Sequence, residues 1–484
     1  MAEPKGSLDH GHAPDPVAEK APANDANNNN NHNNNNHNNN NGNNNYHDNS
    51  NSAHAIPPPL FVVPSNADQA PGRDTASSAG DSESYPEGGL RAWLVVLGAW
   101  LALLSSLGLM NTLATFQTYV MTNQLRDYDE GTVGWIFSIY TFVVFFGGLF
   151  IGPLFDKHGP RWLVLTGTVF VGASLMLFSI STELWHFILS FGVFCGLGCS
   201  LLFTPSLAAV GHFFQARRGL ATGLASTGGS IGGIVFPLML QSLFPRLGWG
   251  WSIRTLGFTV LAICGCANFL IRSRLPPALG ASARPDFNIF RNSAFTLTTI
   301  GMFLLEFALF IPLTYISSYA RSKGFSEAFS FQILPILNAA SAFGRALPGY
   351  WGDQIGAFNI NLIMIVMSII SCLAIWLPAG SYTAGLVLFA VTFGFASGSN
   401  VSITPVCIGL LCKTQNYGRY YATCYTVVSF ACLVGVPIGG NILTSNGGDY
   451  WGVIVFTGLV YLGALISLYF AKVCKVGWKP WVIF

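Results

Sequence analysis

Apolar stretches recur throughout residues 91–471, and each is about 20 residues long, enough to cross the hydrocarbon core of a bilayer as a helix. Of the 484 residues, 51% are hydrophobic and only 9% are charged. Soluble globular chains carry about 25% charged residues, so this chain lacks the polar side chains that cover a water-facing surface. The sequence therefore predicts a polytopic, all-α membrane protein.

Twelve transmembrane helices are predicted, and the longest connection divides them six and six. Residues 87–271 form the N-terminal half, residues 272–292 a central cytoplasmic loop and residues 293–471 the C-terminal half. Residues 472–484 follow as a short cytoplasmic tail. The predicted spans are 92–121, 132–155, 162–181, 186–210, 219–244, 252–271, 293–320, 328–351, 359–377, 383–411, 419–443 and 450–471.

Residues 1–86 differ in composition from the rest of the chain. Residues 27–45 are almost entirely asparagine, and four prolines lie within residues 57–64. A segment of this kind cannot bury enough apolar surface to offset the entropy lost on folding. We therefore predict a disordered, Asn-rich tail on the cytoplasmic side of the membrane.

The orientation follows from the basic residues in the loops, which are enriched on the cytoplasmic side of membrane proteins. With the N-terminus inside, few basic residues face outwards: Arg126, Arg246, Arg254, Arg321 and Lys323. Many more face inwards: Arg91, Lys157, Arg161, Arg217, Arg218, Arg272, Arg274, Arg284, Arg291, Lys413, Arg419, Lys472, Lys475 and Lys479. An even number of spans then places both termini in the cytoplasm, and we expect the plasma membrane as the location.

The two halves repeat the same motifs in the same order, about two hundred residues apart. A G-x-x-x-D-x-x-G motif follows span two and recurs after span eight. A Thr-Pro pair in span four recurs in span ten, and an Ala-Thr pair in span five recurs in span eleven. Six spans per half is an even number, so both halves insert with the same topology and are related by a pseudo-axis along the membrane normal.

The first of these motifs, with Gly152, Asp156, Gly159 and Arg161, resembles the cytoplasmic loop signature of the major facilitator superfamily. Residues 87–93 and 213–228 are similar to the monocarboxylate-porter group of that superfamily, its fungal branch in particular. The resemblance covers residues 87–471. It implies a twelve-span secondary transporter in which spans one, four, seven and ten line a central cavity and span eight contributes to it.

The loop motifs are candidate gates, because an arginine such as Arg161 or Arg217 is placed to pair with Asp156 and hold one mouth of the bundle shut. The alternative is that the motifs only cap and anchor helices. The candidate gating residues are Gly152, Asp156, Gly159, Arg161, Arg217, Arg218, Gly349, Asp353 and Gly356.

Two ionisable residues lie in the middle of spans, Glu306 in span seven and Arg345 in span eight. Such a residue costs about 2.5–3.5 kcal/mol on insertion scales and so indicates a function. Helical spacing places further polar side chains on the same narrow stripes. The candidate substrate-binding or coupling residues are Asn111, Thr115, Glu306, Asn338, Ser341, Arg345 and Asn400. The alternative is a buried structural ion pair with interhelical hydrogen bonds.

The chain departs from the monocarboxylate porters at two positions. Asn111 stands where those porters carry a lysine in span one, and Ser341 where they carry an aspartate one turn before the arginine of span eight. The resemblance implies that Arg345 holds a carboxylate, and Glu306 is the candidate proton carrier. The departures favour the fungal members that carry larger organic compounds, including exported secondary metabolites.

The sequence predicts a secondary active transporter of a small, acidic or carboxylate-bearing organic metabolite, with protons as a candidate coupling ion. Export of a fungal secondary metabolite is favoured; uptake of a monocarboxylate or nutrient and a non-transporting nutrient sensor are the alternatives. The net charge of +2 gives no indication of nucleic-acid binding, and none is predicted. The scattered cysteines predict neither a metal site nor disulfides, and the chain carries no motif of an enzyme or a cofactor site.

Overall fold

The computed structural model describes residues 85–274, 287–479 and 482–483. The predicted tail up to residue 84 and most of the central loop, residues 275–286, lie outside the described residues. Within the described part the chain is helical and contains no β-strand. The prediction of an all-α membrane protein is confirmed.

The helices match the twelve predicted spans to within a few residues at most boundaries. Those of the N-terminal half are α1 (Leu90–Thr122), α2 (Gly131–His158), α3 (Arg161–Ser179), α4 (Leu184–Gly211), α5 (218–247) and α6 (249–270). Those of the C-terminal half are α7 (Ser293–Ser322), α8 (Glu327–Ile355), α9 (Ala357–Ala379), α10 (Thr383–Gly409), α11 (Tyr417–Ser445) and α12 (Trp451–Val476). The last helix runs five residues beyond the predicted end of its half, residue 471.

Ten helical stretches of the described chain are long and apolar enough to cross a membrane. One of them, Arg218–Leu270, has 53 residues, which as one straight helix would extend about 80 Å, more than twice the hydrocarbon core. It turns at Gly248, whose φ of 67° is not helical, and so supplies two spans, α5 and α6. The remaining span is α8, which is less apolar than the others because polar side chains, among them Gln332, Asn338, Arg345 and Asp353, lie along it.

Side-chain caps fix where several helices begin. Asp129 accepts a hydrogen bond from the backbone N–H of Thr132 at 2.9 Å at the start of α2, and Asn292 accepts from Ala294 at 3.1 Å at the start of α7. Each cap satisfies an N–H group that has no partner inside its helix. These positions match the predicted starts of the two spans.

Glycine lets helices pack closely in the absence of a strong hydrophobic drive between them. At the crossing of α1 and α5, a Cβ atom added to Gly108 would lie only 2.9 Å from the Cα atom of Gly232. The backbones of the two helices are therefore in contact, and larger side chains would separate them. This crossing holds the two helices together beside the central cavity.

Candidate functional site

A small cavity of about 50 Å³ lies between the two halves. Residues from α1, α2 and α4 line it from the N-terminal half, and residues from α7, α8, α10 and α11 line it from the C-terminal half. The lining residues are Leu107, Met110, Asn111, Phe145, Phe203, Glu306, Leu309, Phe310, Leu313, Leu337, Asn338, Ser341, Arg345, Ser397, Val401 and Tyr425.

Arg345 is held in this cavity by contacts with both halves. Its Nη1 atom donates to the carbonyl oxygen of Ser226 on α5 at 2.7 Å, and its Nε atom donates to the hydroxyl of Ser341 at 3.4 Å. The side chain is buried, with 6% of its surface exposed. Arg345 also lines the cavity, where a guanidinium is the group best able to bind a carboxylate.

Glu306 lines the same cavity and is also buried, with 3% of its surface exposed. No ion pair within 4.0 Å joins it to Arg345, although both side chains belong to the described residues. The two charges therefore share one cavity without closing on each other. This arrangement disfavours the reading of the pair as a tight structural salt bridge.

The predicted polar stripe divides into residues that line the cavity and residues that do not. Asn111, Asn338 and Ser341 line it, and the amide nitrogen of Asn338 has no hydrogen-bond partner among the described residues. Thr115 lines neither this cavity nor the larger one described next. Asn400 is fully buried beside the site, and within the described part of the chain neither atom of its side-chain amide has a hydrogen-bond partner.

A larger cavity of about 700 Å³ opens from the first at one end of the bundle. The two share part of their lining: Met110, Asn111, Phe310 and Leu313. Asp129, Trp135 and Tyr450 line the large cavity as well, and we call this end of the bundle the vestibule end. A solute reaching the central cavity from this end would meet Asn111 at the junction.

The opposite end carries Asp156 and Asp353, and we call it the motif end; here the halves are in contact. Asp156 of α2 accepts a hydrogen bond from the backbone N–H of Arg419 at 3.0 Å, at the start of α11. Its second oxygen faces Gly418, where an added Cβ atom would lie 2.6 Å from it. The carboxylate of one half thus caps a helix of the other.

Asp353 makes the equivalent contact in the reverse direction. Its two carboxylate oxygens accept from the backbone N–H groups of Gly219 at 2.7 Å and Leu220 at 2.8 Å, at the start of α5. The first N–H groups of a helix lack internal partners and carry partial positive charge, so each carboxylate stabilises the helix it caps. The motif repeated in the sequence therefore forms two equivalent contacts in the structure, in each of which a carboxylate of one half caps a helix of the other.

The glycines of the motifs have two different roles. Gly152 and Gly349 lie where the halves touch: an added Cβ atom would meet the backbone of Gly418 in the first case and of Gly219 in the second. Gly159 and Gly356, which end their motifs, have φ angles of 75° and 94° and terminate α2 and α8. Glycine adopts such angles at little cost, and helices commonly end in this way.

The predicted partner of Asp156 was wrong. Arg161 and Arg217 are exposed, and the carboxylate instead binds the start of α11 near Arg419. Arg218 is the arginine that enters the contact: it is buried, and its Cζ atom lies 4.0 Å from the ring centroid of Tyr417 in the other half. A cation over an aromatic face adds a further attraction across the closed end.

The segment before α1 closes over the same end, which sequence reasoning did not foresee. The Glu87 carboxylate accepts hydrogen bonds from three consecutive backbone N–H groups, those of Gln215 at 2.7 Å, Ala216 at 2.7 Å and Arg217 at 3.0 Å. Tyr85, assigned by sequence to the tail, bonds to Thr414 of the other half through its hydroxyl. The only sequence signal was the resemblance of residues 87–93 to a family motif.

We predict that Gly219→Ala opens the motif end. A Cβ atom there would lie 2.6 Å from the Oδ1 atom of Asp353 and closer still to the carbonyl oxygen of Gly349, a backbone atom that cannot move aside. Cys412 in the adjoining loop reports the opening, because burial raises the pKa of its thiol to about 12. We expect maleimide to label it at least about tenfold faster, since only the thiolate reacts.

The labelling is done with the exposed Cys266 and Cys474 replaced by serine. Gly265→Ala is the matched control, because an added Cβ atom there meets no atom of the described residues within 4 Å. An unchanged labelling rate in Gly219→Ala would show that the contact between Gly219 and Gly349 does not hold this end shut.

Comparison with known proteins connects this geometry to a family. The model of the Major Facilitator Superfamily matches residues 96–435. A riboflavin transporter of Saccharomyces cerevisiae is 35% identical over 426 residues, covering 83% of this chain and 82% of that protein. The aspyridones efflux protein of Emericella nidulans is 34% identical over 395 residues, covering 80% of each chain.

Solved structures show the same fold at low sequence identity. The fucose:proton symporter of E. coli superimposes with a TM-score of 0.60 at 18% identity, covering 77% of this chain and 98% of the symporter. A human organic anion transporter superimposes with a TM-score of 0.63 at 16% identity, covering 79% of this chain and all of the other. The two-half, all-helical architecture is thus confirmed.

Proposed function

The chain belongs to the Major Facilitator Superfamily and is a multi-pass membrane transporter of small molecules, and we propose that its solute is an acidic organic metabolite bound by Arg345. The observation that carries the proposal is the buried guanidinium in the central cavity, fixed by Ser226 and Ser341 with donors left for the solute. A buried cation without a close ion pair is expensive, and an anionic solute supplies the missing charge.

We propose that transport proceeds by alternating access, with the closure at Asp156 and Asp353 as the gate of the motif end. Two carboxylates capping two helix starts give a contact that is stable when formed yet consists of a few separable hydrogen bonds. The open vestibule and the closed motif end are the two features expected of one of the alternating states.

We place the motif end in the cytoplasm, with both termini, because the basic residues of the loops concentrate there. Proton coupling through Glu306 is part of the proposal, since a buried carboxylate in the cavity that binds the solute can take up or release a proton when the solute binds or leaves. Efflux across the plasma membrane is favoured by the efflux proteins among the relatives. Membership of the monocarboxylate-porter group rests on residues 87–93 and 213–228.

The test is transport by the purified protein in vesicles, using carboxylic acids too polar to cross lipid unaided, each paired with its amide. We expect acids to be carried and their amides to be carried poorly. Arg345→Lys should lower transport of an acid at least about tenfold, because lysine cannot reproduce the planar, bidentate donors of arginine. Asparagine or glutamine at this position should lower it further.

Arg254→Lys is the matched control: this arginine donates from its Nε atom to the hydroxyl of Ser179 at 3.1 Å and lines neither cavity. It should transport normally. Equal transport of acids and amides, or normal activity in Arg345→Lys, would contradict a carboxylate site at Arg345.

A further inference from the structure

The structure assigns the body of the solute as well as its acidic group: we infer that the transported acids carry a flat aromatic or conjugated ring system. The acidic part of this assignment rests on the proposed function. The ring part rests on separate residues, an aromatic wall formed by Phe145, Phe203 and Tyr425, all three of which line the central cavity.

The aromatic wall is a cluster of rings in mutual contact. The ring centroids of Phe145 and Phe203 lie 5.6 Å apart, those of Phe145 and Tyr425 lie 5.2 Å apart, and those of Phe203 and Tyr425 lie 6.1 Å apart. All three side chains are buried. Each ring is therefore fixed by the other two, and the wall presents a preformed surface to whatever enters the cavity.

The charged groups of the cavity come from one half, whereas its apolar lining comes from both. Glu306 and Arg345, its charged residues, both belong to the C-terminal half. The N-terminal half contributes Phe145 and Phe203 along with aliphatic side chains, and Asn111 is its polar member. A cavity built in this way suits an amphipathic solute, with its anionic group on α8 and its apolar body against the aromatic wall on α2, α4 and α11.

The wall continues towards the motif end as a ladder of tyrosines on α11. The rings of Tyr425 and Tyr421 lie 4.6 Å apart and those of Tyr421 and Tyr417 lie 5.8 Å apart, with Arg218 over the last. When the motif end opens, this row of rings lies between the cavity and the gate, so the same flat solute meets aromatic faces along its way.

A flat, unsaturated ring is favoured over a saturated ring of similar size for a specific reason. Aromatic faces and edges attract other π-systems in offset-stacked or edge-to-face arrangements beyond the effect of buried area. A saturated ring buries comparable area but lacks the quadrupole and is thicker. The wall should therefore discriminate between two acids that differ only in ring saturation.

The experiment compares benzoate, cyclohexanecarboxylate and benzamide by titration calorimetry with the full chain in lipid nanodiscs. We expect benzoate to bind about five- to tenfold more tightly than cyclohexanecarboxylate, the factor that one or two favourable ring contacts give. Phe203→Leu and Tyr425→Leu, which keep apolar bulk and remove the ring, should reduce that preference to about twofold or less. Phe258→Leu is the control, since Phe258 is 58% exposed on α6 and should leave the preference unchanged.

The outcomes separate the two proposals. Any of three results overturns the ring assignment. The wild-type protein could bind benzoate and cyclohexanecarboxylate equally, or bind neither acid at its solubility limit. The third such result is that both leucine variants retain the preference for benzoate. Equal binding of benzoate and benzamide leaves the ring assignment standing and overturns the carboxylate site instead. The wild-type comparison decides the matter even where a variant fails to fold.

Discussion

Replacing Asp156 with asparagine should slow net turnover about tenfold or more, a larger effect than any weakening of the binding of solute that enters from the vestibule end. The carboxylate caps the start of α11 through the N–H of Arg419, and a hydrogen bond to a charged group is worth about 1.5–3 kcal/mol. Asparagine keeps an acceptor but loses the charge that the helix start attracts. The closed motif end is destabilised, whereas the central cavity, which Asp156 does not line, is untouched.

Asp353→Asn should have an effect of the same size, because Asp353 makes the equivalent bonds to Gly219 and Leu220. Asp127→Asn is the matched control, since Asp127 is exposed near the vestibule end. The measurements are initial rates and half-saturation concentrations in vesicles, with maleimide labelling of Cys412 as an independent report of opening. Normal turnover in both single variants would reduce the motifs to helix caps without a role in the cycle.

The spans and the motifs were predictable because each depends on residues that are close together in the sequence. An apolar stretch of about 20 residues has few conformations other than a helix available in lipid. The observed helices differ from the predicted spans mainly at their ends, as where α12 continues to Val476. The positions of Gly159 and Gly356 at helix ends also follow from a local property, since both need positive φ angles.

Contacts between the halves were not predictable in the same way. Asp156 and Arg419 are 263 residues apart in the chain, and their meeting depends on how two helix bundles close, which no local pattern records. The basic residues of the motif loops pointed to Arg161 and Arg217, both of which are exposed. The repeated motif predicted that both halves would carry a gate, but not that each carboxylate would cap a helix of the opposite half.

Helix-face reasoning located Asn338, Ser341 and Arg345 together, since α8 is continuous through them. Thr115 does not line either cavity with them, because α1 is interrupted at Asn111 and the following turn presents Ala114 and Gln117 to the large cavity. The aromatic wall could not be predicted from the sequence for a different reason. The chain has 38 phenylalanines, and composition does not distinguish a ring facing the cavity from one facing lipid.

The pair Glu306 and Arg345 gives the prediction on which coupling depends. If Glu306 carries the proton, Glu306→Gln should flatten the pH dependence of net flux while leaving solute exchange largely intact. Glutamine keeps the shape and hydrogen-bonding capacity of the protonated side chain but cannot release a proton. Net flux and exchange are measured in the same vesicles across a range of external pH, with Asp127→Asn again as the control for a carboxylate outside the cavity.

The double variant Glu306→Gln with Arg345→Gln separates coupling from mutual neutralisation. Where two buried charges only compensate each other, removing one leaves the other unpaired and costs several kcal/mol, and removing both restores much of what was lost. Where Arg345 binds the solute and Glu306 the proton, the double variant combines the two defects and transports no better than Arg345→Gln alone. The open cavity between the two side chains, which form no ion pair within 4.0 Å in the described chain, favours the second outcome. Rescue in the double variant with an unchanged pH profile would show instead that the pair is structural.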